Sequence, residues 1–193
     1  MSNKLVYIRV HKPFGILSQF TQESPEDKTL KDIAGLPPEV YPVGRLDKDS
    51  EGLLLLTNDT SYKAKTTDPK SKTWKVYLCV VEGVPTKQQL SMLETGVEIR
   101  INKKAHKTAP ARIETIQEMP SYLEQGGKPI RFRKEIPVSF LKLSISEGKN
   151  RQVRRMCAAV GLPVLRLIRI QIGKVELSTL QPGQWEYFNP SAT

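Results

Sequence analysis

The chain has 193 residues, 38% hydrophobic and 26% charged, enough to bury roughly 70% of its unfolded surface as one domain or one domain in two lobes. No apolar run approaches the ~20 residues of a spanning helix, and Arg9, His11 and Lys12 interrupt the stretch where a signal peptide would stand. Two distant cysteines, Cys79 and Cys157, and two histidines exclude a disulfide scaffold and a zinc cluster, and point to the cytoplasm.

In chain order, residues 4–10 read as a strand and HKPFG as the turn after it. Residues 29–34 predict a short helix, with Thr29 and Asp32 as a capping box and Gly35 as its stop. Tyr41 to Leu46 predicts a strand running into a charged loop, Asp47 to Gly52. Leu53 to Thr57 is apolar enough for a fully buried strand, and Asn58 or Asp59 caps a helix ending before Pro69. Residues 73–81 alternate, with Trp74, Val76, Leu78 and Val80 on one face and Lys75, Tyr77 and Cys79 on the other. Thr86 caps a helix through Leu93, strands follow near 97–101 and 108–116, and the Pro- and Gly-rich residues 117–137 form a long basic loop. Residues 138–146 alternate again. Residues 151–160 predict an amphipathic helix capped by Asn150 and ended by Gly161, with Val153, Met156, Cys157 and Val160 as its apolar stripe. On that helix Arg151 and Arg155 face away from the stripe and Arg154 flanks it. Two further strands fall near 163–170 and 172–178. Many strands with few, short helices predict an α+β fold with a mixed, mainly antiparallel sheet, and a lobe boundary near residues 68–72.

Lysine and arginine outnumber aspartate and glutamate 30 to 20, and the excess is uneven. Residues 1–59 carry seven basic and nine acidic side chains; residues 142–174 carry eight basic and one acidic, five of the eight being arginine. Arginine forks onto phosphate, so the pattern favours a nucleic-acid partner over a merely solvated surface. No phosphate loop, dinucleotide fingerprint, zinc-protease or serine-hydrolase motif occurs. In GRLDKDSEG, Asp47, Asp49, Glu51 and Gly52 mimic the start of a calcium loop, but Asn58 stands where the closing acid belongs and Leu53 to Leu56 fill ligand positions. With calcium rejected, two readings stay open on spacing alone: a solvated acidic turn, or a loop that presents one carboxylate at a cleft.

The run Gly44-Arg45-Leu46-Asp47-x-x-Ser50-x-Gly52 through Asp59 closely resembles the central motif of the RsuA-type pseudouridine synthases. His11 to Gly15 resembles that family's K-P-x-G segment, Lys75-Val76-Tyr77 its K-x-Y strand, Glu147 to Met156 its arginine-rich helix start, and Leu165 to Arg169 the strand after it. These segments occur in the family's order along nearly the whole chain. Lys149 replaces the family's usual arginine, and Ser50 stands where many members have threonine. The resemblance implies the pseudouridine synthase fold: residues 1–193 as a single catalytic domain of two lobes around a central cleft, without the N-terminal S4 RNA-binding domain of many relatives. It implies an isomerase, a monomer, that converts a uridine in large-subunit rRNA to pseudouridine, with no metal, no cofactor and no membrane partner. Rival readings are a catalytically silent rRNA-binding assembly factor, or a synthase acting on small-subunit rRNA or tRNA.

The chemistry fits the residue types that the resemblance assigns. Moving uracil from an N1–C1′ to a C5–C1′ bond changes no oxidation state, but something must hold the ribose or the base while the ring turns. A carboxylate does this by nucleophilic catalysis, and the resemblance gives the role to Asp47. An arginine beside it, assigned as Arg154, would keep it charged and oriented. Tyr77 would stack on the flipped uracil and Arg45 would hold the flipped-out site open. Lys149, Arg151 and Arg155 are expected to contact RNA.

Overall fold

The computed structural model describes residues 4–124, 127 and 136–190. Much of the basic loop expected over 117–137 therefore lies outside the described residues. The strands are β1 (Tyr7–Lys12), β2 (Tyr41–Pro42), β3 (Glu51–Thr57), β4 (Lys75–Glu82), β5 (Glu98–Ile101), β6 (Lys104–Lys107), β7 (Arg112–Ile116), β8 (Val138–Ile145), β9 (Val164–Ile172), β10 (Val175–Glu176) and β11 (Trp185–Tyr187). The helices are α1 (Thr60–Thr67), α2 (Lys87–Thr95) and α3 (Gln152–Ala159).

Nine of these strands form one sheet along the path β11-β1-β3-β9-β4-β8-β7, with β10 added to β9 and β2 to β3. Every pairing is antiparallel except β3 with β9, which is parallel and joins through only two residue pairs, Glu51 with Ile168 and Gly52 with Arg169. This narrow seam divides the sheet, and the predicted mixed, mainly antiparallel architecture is found. β5 and β6 form a separate hairpin.

The apolar run in β3 is explained by burial on both faces. Leu54 and Leu56 pack with Ile8, Val10, Leu30 and Ile33, while Leu53 and Leu55 pack with Leu78, Ile168 and Ile172. Truncating one such leucine to alanine costs about 2–5 kcal/mol. β4 differs from its predicted half-polar alternation. Residues 76 to 81 are all buried, because α3 covers the Tyr77, Cys79 and Val81 face with Val153, Met156 and Cys157.

Four local predictions are corrected. The helix over 29–34 is a single 3-10 turn, Leu30–Asp32, although the Thr29/Asp32 capping box forms. The strand over 41–46 stops at Pro42; Val43 still donates to the Leu55 carbonyl at 2.8 Å, and Gly44 (φ +76) then turns the chain into the charged loop. Asn150 does not cap α3. Arg151, in the left-handed region (φ 52), stands at the N-cap without a side-chain bond, and Gln152 instead accepts from the Lys149 amide at 2.9 Å. The strand expected over 108–116 begins only at Arg112, beyond Pro110, and its pairing partner is β8.

Candidate active site

The loop 47–50 enters β3 at the parallel seam. Its approach is fixed from below by Ser18, whose hydroxyl accepts from the Leu46 amide at 3.0 Å and donates to the Leu46 carbonyl at 2.7 Å. Leu46 itself is buried in the same cluster as Tyr77. The turn closes through Ser50 N donating to Asp47 O at 3.0 Å, and Gly15 N donates to Lys48 O at 2.8 Å. The HKPFG turn thus lies against the loop, and Lys12 from it is fully buried. Its ammonium donates to the carbonyls of Pro13 at 3.0 Å and Ile16 at 2.6 Å. Burial pushes its pKa down to about 8, with the charges of Glu51, Asp49 and Asp47 opposing that shift.

Gly52 shows why the motif ends in glycine. Its φ is +100, and a Cβ there would lie 2.3 Å from the Arg169 carbonyl oxygen and 2.7 Å from the Arg169 nitrogen. Only a bare α-carbon lets β3 reach β9.

Asp47 presents a side chain that is 36% exposed, and its nearest cation among the described residues is Arg151, 4.0 Å away. The expected neighbour, Arg154, meets Asp49 instead. Its Nη2 donates to the Asp49 carbonyl at 2.6 Å, its Nη1 to the Val164 carbonyl at 3.1 Å, and its Nε lies 3.5 Å from the Asp49 carboxylate. The Arg154 side chain is 14% exposed, as its flanking position on α3 predicts. Burial lowers its pKa, and Asp49 opposes that shift. Arg151 forks onto Asp49 with two bonds of 2.7 Å, which hold the Asp49 carboxyl below its ordinary range. α3 and the loop are therefore joined through Asp49, leaving Asp47 beside the cations.

Tyr77 is 8% exposed on β4. Arg45 is exposed, with Nη2 3.4 Å from Gln19 Oε1. Lys149 is exposed at the start of α3. Arg155 faces the β5–β6 hairpin, bonding the Arg100 carbonyl and, at 3.0 Å, Asn150. Glu147 anchors this end of α3, accepting from the Ala109 amide at 2.8 Å and from the Gln152 amide group at 2.5 Å. The contacts made by Asp49, Ser18 and Lys12 escaped the sequence reading, although Asp49 and Lys12 stand in motifs it named. The acids alternating at 47, 49 and 51 were a signal, since each could meet a different arginine, but no local pattern names the partner.

A cavity of about 530 Å³ lies elsewhere, lined by residues from Phe20 to Tyr41, and does not include Asp47 or Tyr77.

Residues 6–159 match the family model described as RNA pseudouridylate synthase. The chain is 48% identical over 179 residues to the ribosomal large subunit pseudouridine synthase E of Xanthomonas campestris pv. campestris, covering 92% of each. It is 49% identical over 176 residues to the protein of the same name from Vibrio vulnificus, covering 91% of this chain and 72% of the relative. A crystal structure of a pseudouridylate synthase superposes with a TM-score of 0.77 at 26% identity, over 98% of this chain and 72% of that one. Seam, loop and matches agree over most of the chain, which belongs to the RNA pseudouridylate synthase family of isomerases.

Proposed function

We propose that the chain isomerises a uridine of large-subunit rRNA, with Asp47 as the nucleophile. The observation that carries the reading is the arrangement at the seam. Asp49 engages Arg151, at the N-cap of α3, and Arg154, within it, so the Asp47 carboxylate stands part-exposed with a guanidinium 4.0 Å away. The names of the relatives supply the class of RNA.

In this reading the target nucleotide leaves its stack and enters beside Tyr77, which packs against the uracil. The N1–C1′ bond breaks while the Asp47 carboxylate holds the ribose or the base covalently. The uracil turns, C5 bonds to C1′, the carboxylate departs, C5 loses its proton and N1 gains one. Atoms and electrons balance without a redox partner. Arg154 holds the loop and α3 together around the reaction. Arg45 keeps the flipped-out site open, and Lys149, Arg151 and Arg155 contact RNA. The whole chain acts as one catalytic domain and as a monomer in the cytoplasm, with the lobes meeting near residues 68–72.

The test is incubation with unmodified large-subunit rRNA, small-subunit rRNA and bulk tRNA, followed by mapping of pseudouridine. Modification is expected in large-subunit rRNA. Modification confined to the other two would overturn the substrate while leaving the chemistry standing. RNA binding should also weaken with salt at a log–log slope of roughly −3 to −5; a flat dependence would mean that the basic residues of 142–174 are only solvated.

A further inference from the structure

β9 carries two buried arginines with different partners. Arg166 pairs with a carboxylate, Glu51. Among the described residues Arg169, 5% exposed, bonds only main-chain carbonyls: Nε donates to Leu53 O at 2.8 Å and Nη1 to Arg45 O at 3.3 Å, while Nη2 is buried without a partner there. Those two carbonyls bracket residues 46–52, the segment that carries Asp47. Arg169 also stands opposite Tyr77 in the β4–β9 register and opposite Gly52 in the β3–β9 register. One side chain therefore ties both ends of the loop to the strand that pairs with the Tyr77 strand.

A buried cation serving packing alone finds a carboxylate or fills its donors, because an unpaired buried N–H is costly. Arg169 does neither. Its planar fork reaches two acceptors that flank the loop, which a lysine ammonium does not reproduce. From this geometry we infer that Arg169 is a positioning residue for the isomerisation: it sets the place of Asp47 by clamping Arg45 and Leu53 to β9. The inference rests on Asp47 being the nucleophile.

The experiment compares wild type, Arg169→Lys and Arg169→Ala. Amide hydrogen exchange over residues 44–52 is measured alongside kcat and KM on an unmodified large-subunit rRNA fragment. Arg169→Lys keeps the charge and loses one clamp. Its loop should exchange at least about tenfold faster while β4 and β8 are unchanged. Its kcat should fall roughly 100-fold, the effect of a misplacement near 1 Å, with KM within about twofold. Guanidinium ion should restore part of the rate of Arg169→Ala; if that variant does not fold, Arg169→Lys still decides. Unchanged loop exchange, or a kcat for Arg169→Lys within about threefold of wild type, overturns the inference. Wild-type protein inactive on every RNA would overturn the functional reading and the catalytic half of this one, and exchange would still report whether Arg169 holds the loop.

Discussion

Two arginine–carboxylate forks stand at opposite ends of a three-residue stretch. Arg166 grips Glu51 through two bonds of 2.9 Å, with side chains 6% and 1% exposed. Arg151 grips Asp49 through two bonds of 2.7 Å, with side chains 40% and 37% exposed. The geometry is nearly the same, so the surroundings decide the energetics. Breaking the sealed pair strands a charge away from water, whereas breaking the open pair returns two charges to solvent. The sealed fork fixes where β3 begins; the open one stands in contact with solvent.

The largest expected effect lies two residues before the open fork, at Asp47. Asp47→Asn keeps the loop's shape and removes the carboxylate proposed as the nucleophile, so pseudouridine formation should vanish with the melting temperature unchanged. Turnover above a few per cent of the wild-type rate would break the assignment. Glu51→Gln should lower the unfolding free energy by about 3–5 kcal/mol. Urea denaturation checks this, and a loss below about 1 kcal/mol would mean that the sealed fork behaves like the open one. Arg154→Ala removes two carbonyl bonds and should cost roughly 2–4 kcal/mol in kcat/KM, some 30- to 1000-fold. If Arg151→Ala and Arg155→Ala cost as much, the half-buried place of Arg154 has no special role.

Lys12, below the loop, gives a pH test. Its folded pKa is about 8 against an ordinary 10.5. Below about pH 8 both states hold the proton and the burial cost is fully present. Between there and pH 10 the unfolded chain keeps a proton that the folded chain has released, so the Lys12 contribution to stability rises with pH, by up to about 3 kcal/mol. The difference in unfolding free energy between wild type and Lys12→Met should carry that slope; a pH-independent difference would show that Lys12 keeps its ordinary affinity for protons. The smallest effect is at the open fork itself. Arg151→Ala should change stability by about 1 kcal/mol or less, and a larger loss would show that it is more than a screened surface pair.

The elements legible in the sequence are those whose cause is local. The leucine run of β3 reports burial on both faces, the Thr86 and Asp59 caps start α2 and α1, and the stripe of α3 faces the core. The half-buried place of Arg154 followed from the same stripe. What was not legible depends on residues far apart in the chain. Asp49 finds Arg151 across 102 positions and Leu53 finds Arg169 across 116. Alternation in β4 failed for a related reason: whether a strand's second face meets water depends on what the rest of the chain lays over it, here α3.

The bare α-carbon of Gly52 has a consequence for mutational surveys. Even alanine would push the Arg169 backbone away, because its methyl group would fall 2.3 Å from a carbonyl oxygen that has no room to swing. A screen scored on product alone would rank position 52 with the reacting residues, although glycine offers no side chain to react. Scored on folded yield as well, the same screen would separate it from Asp47, since replacing Gly52 parts two strands and replacing Asp47 parts none.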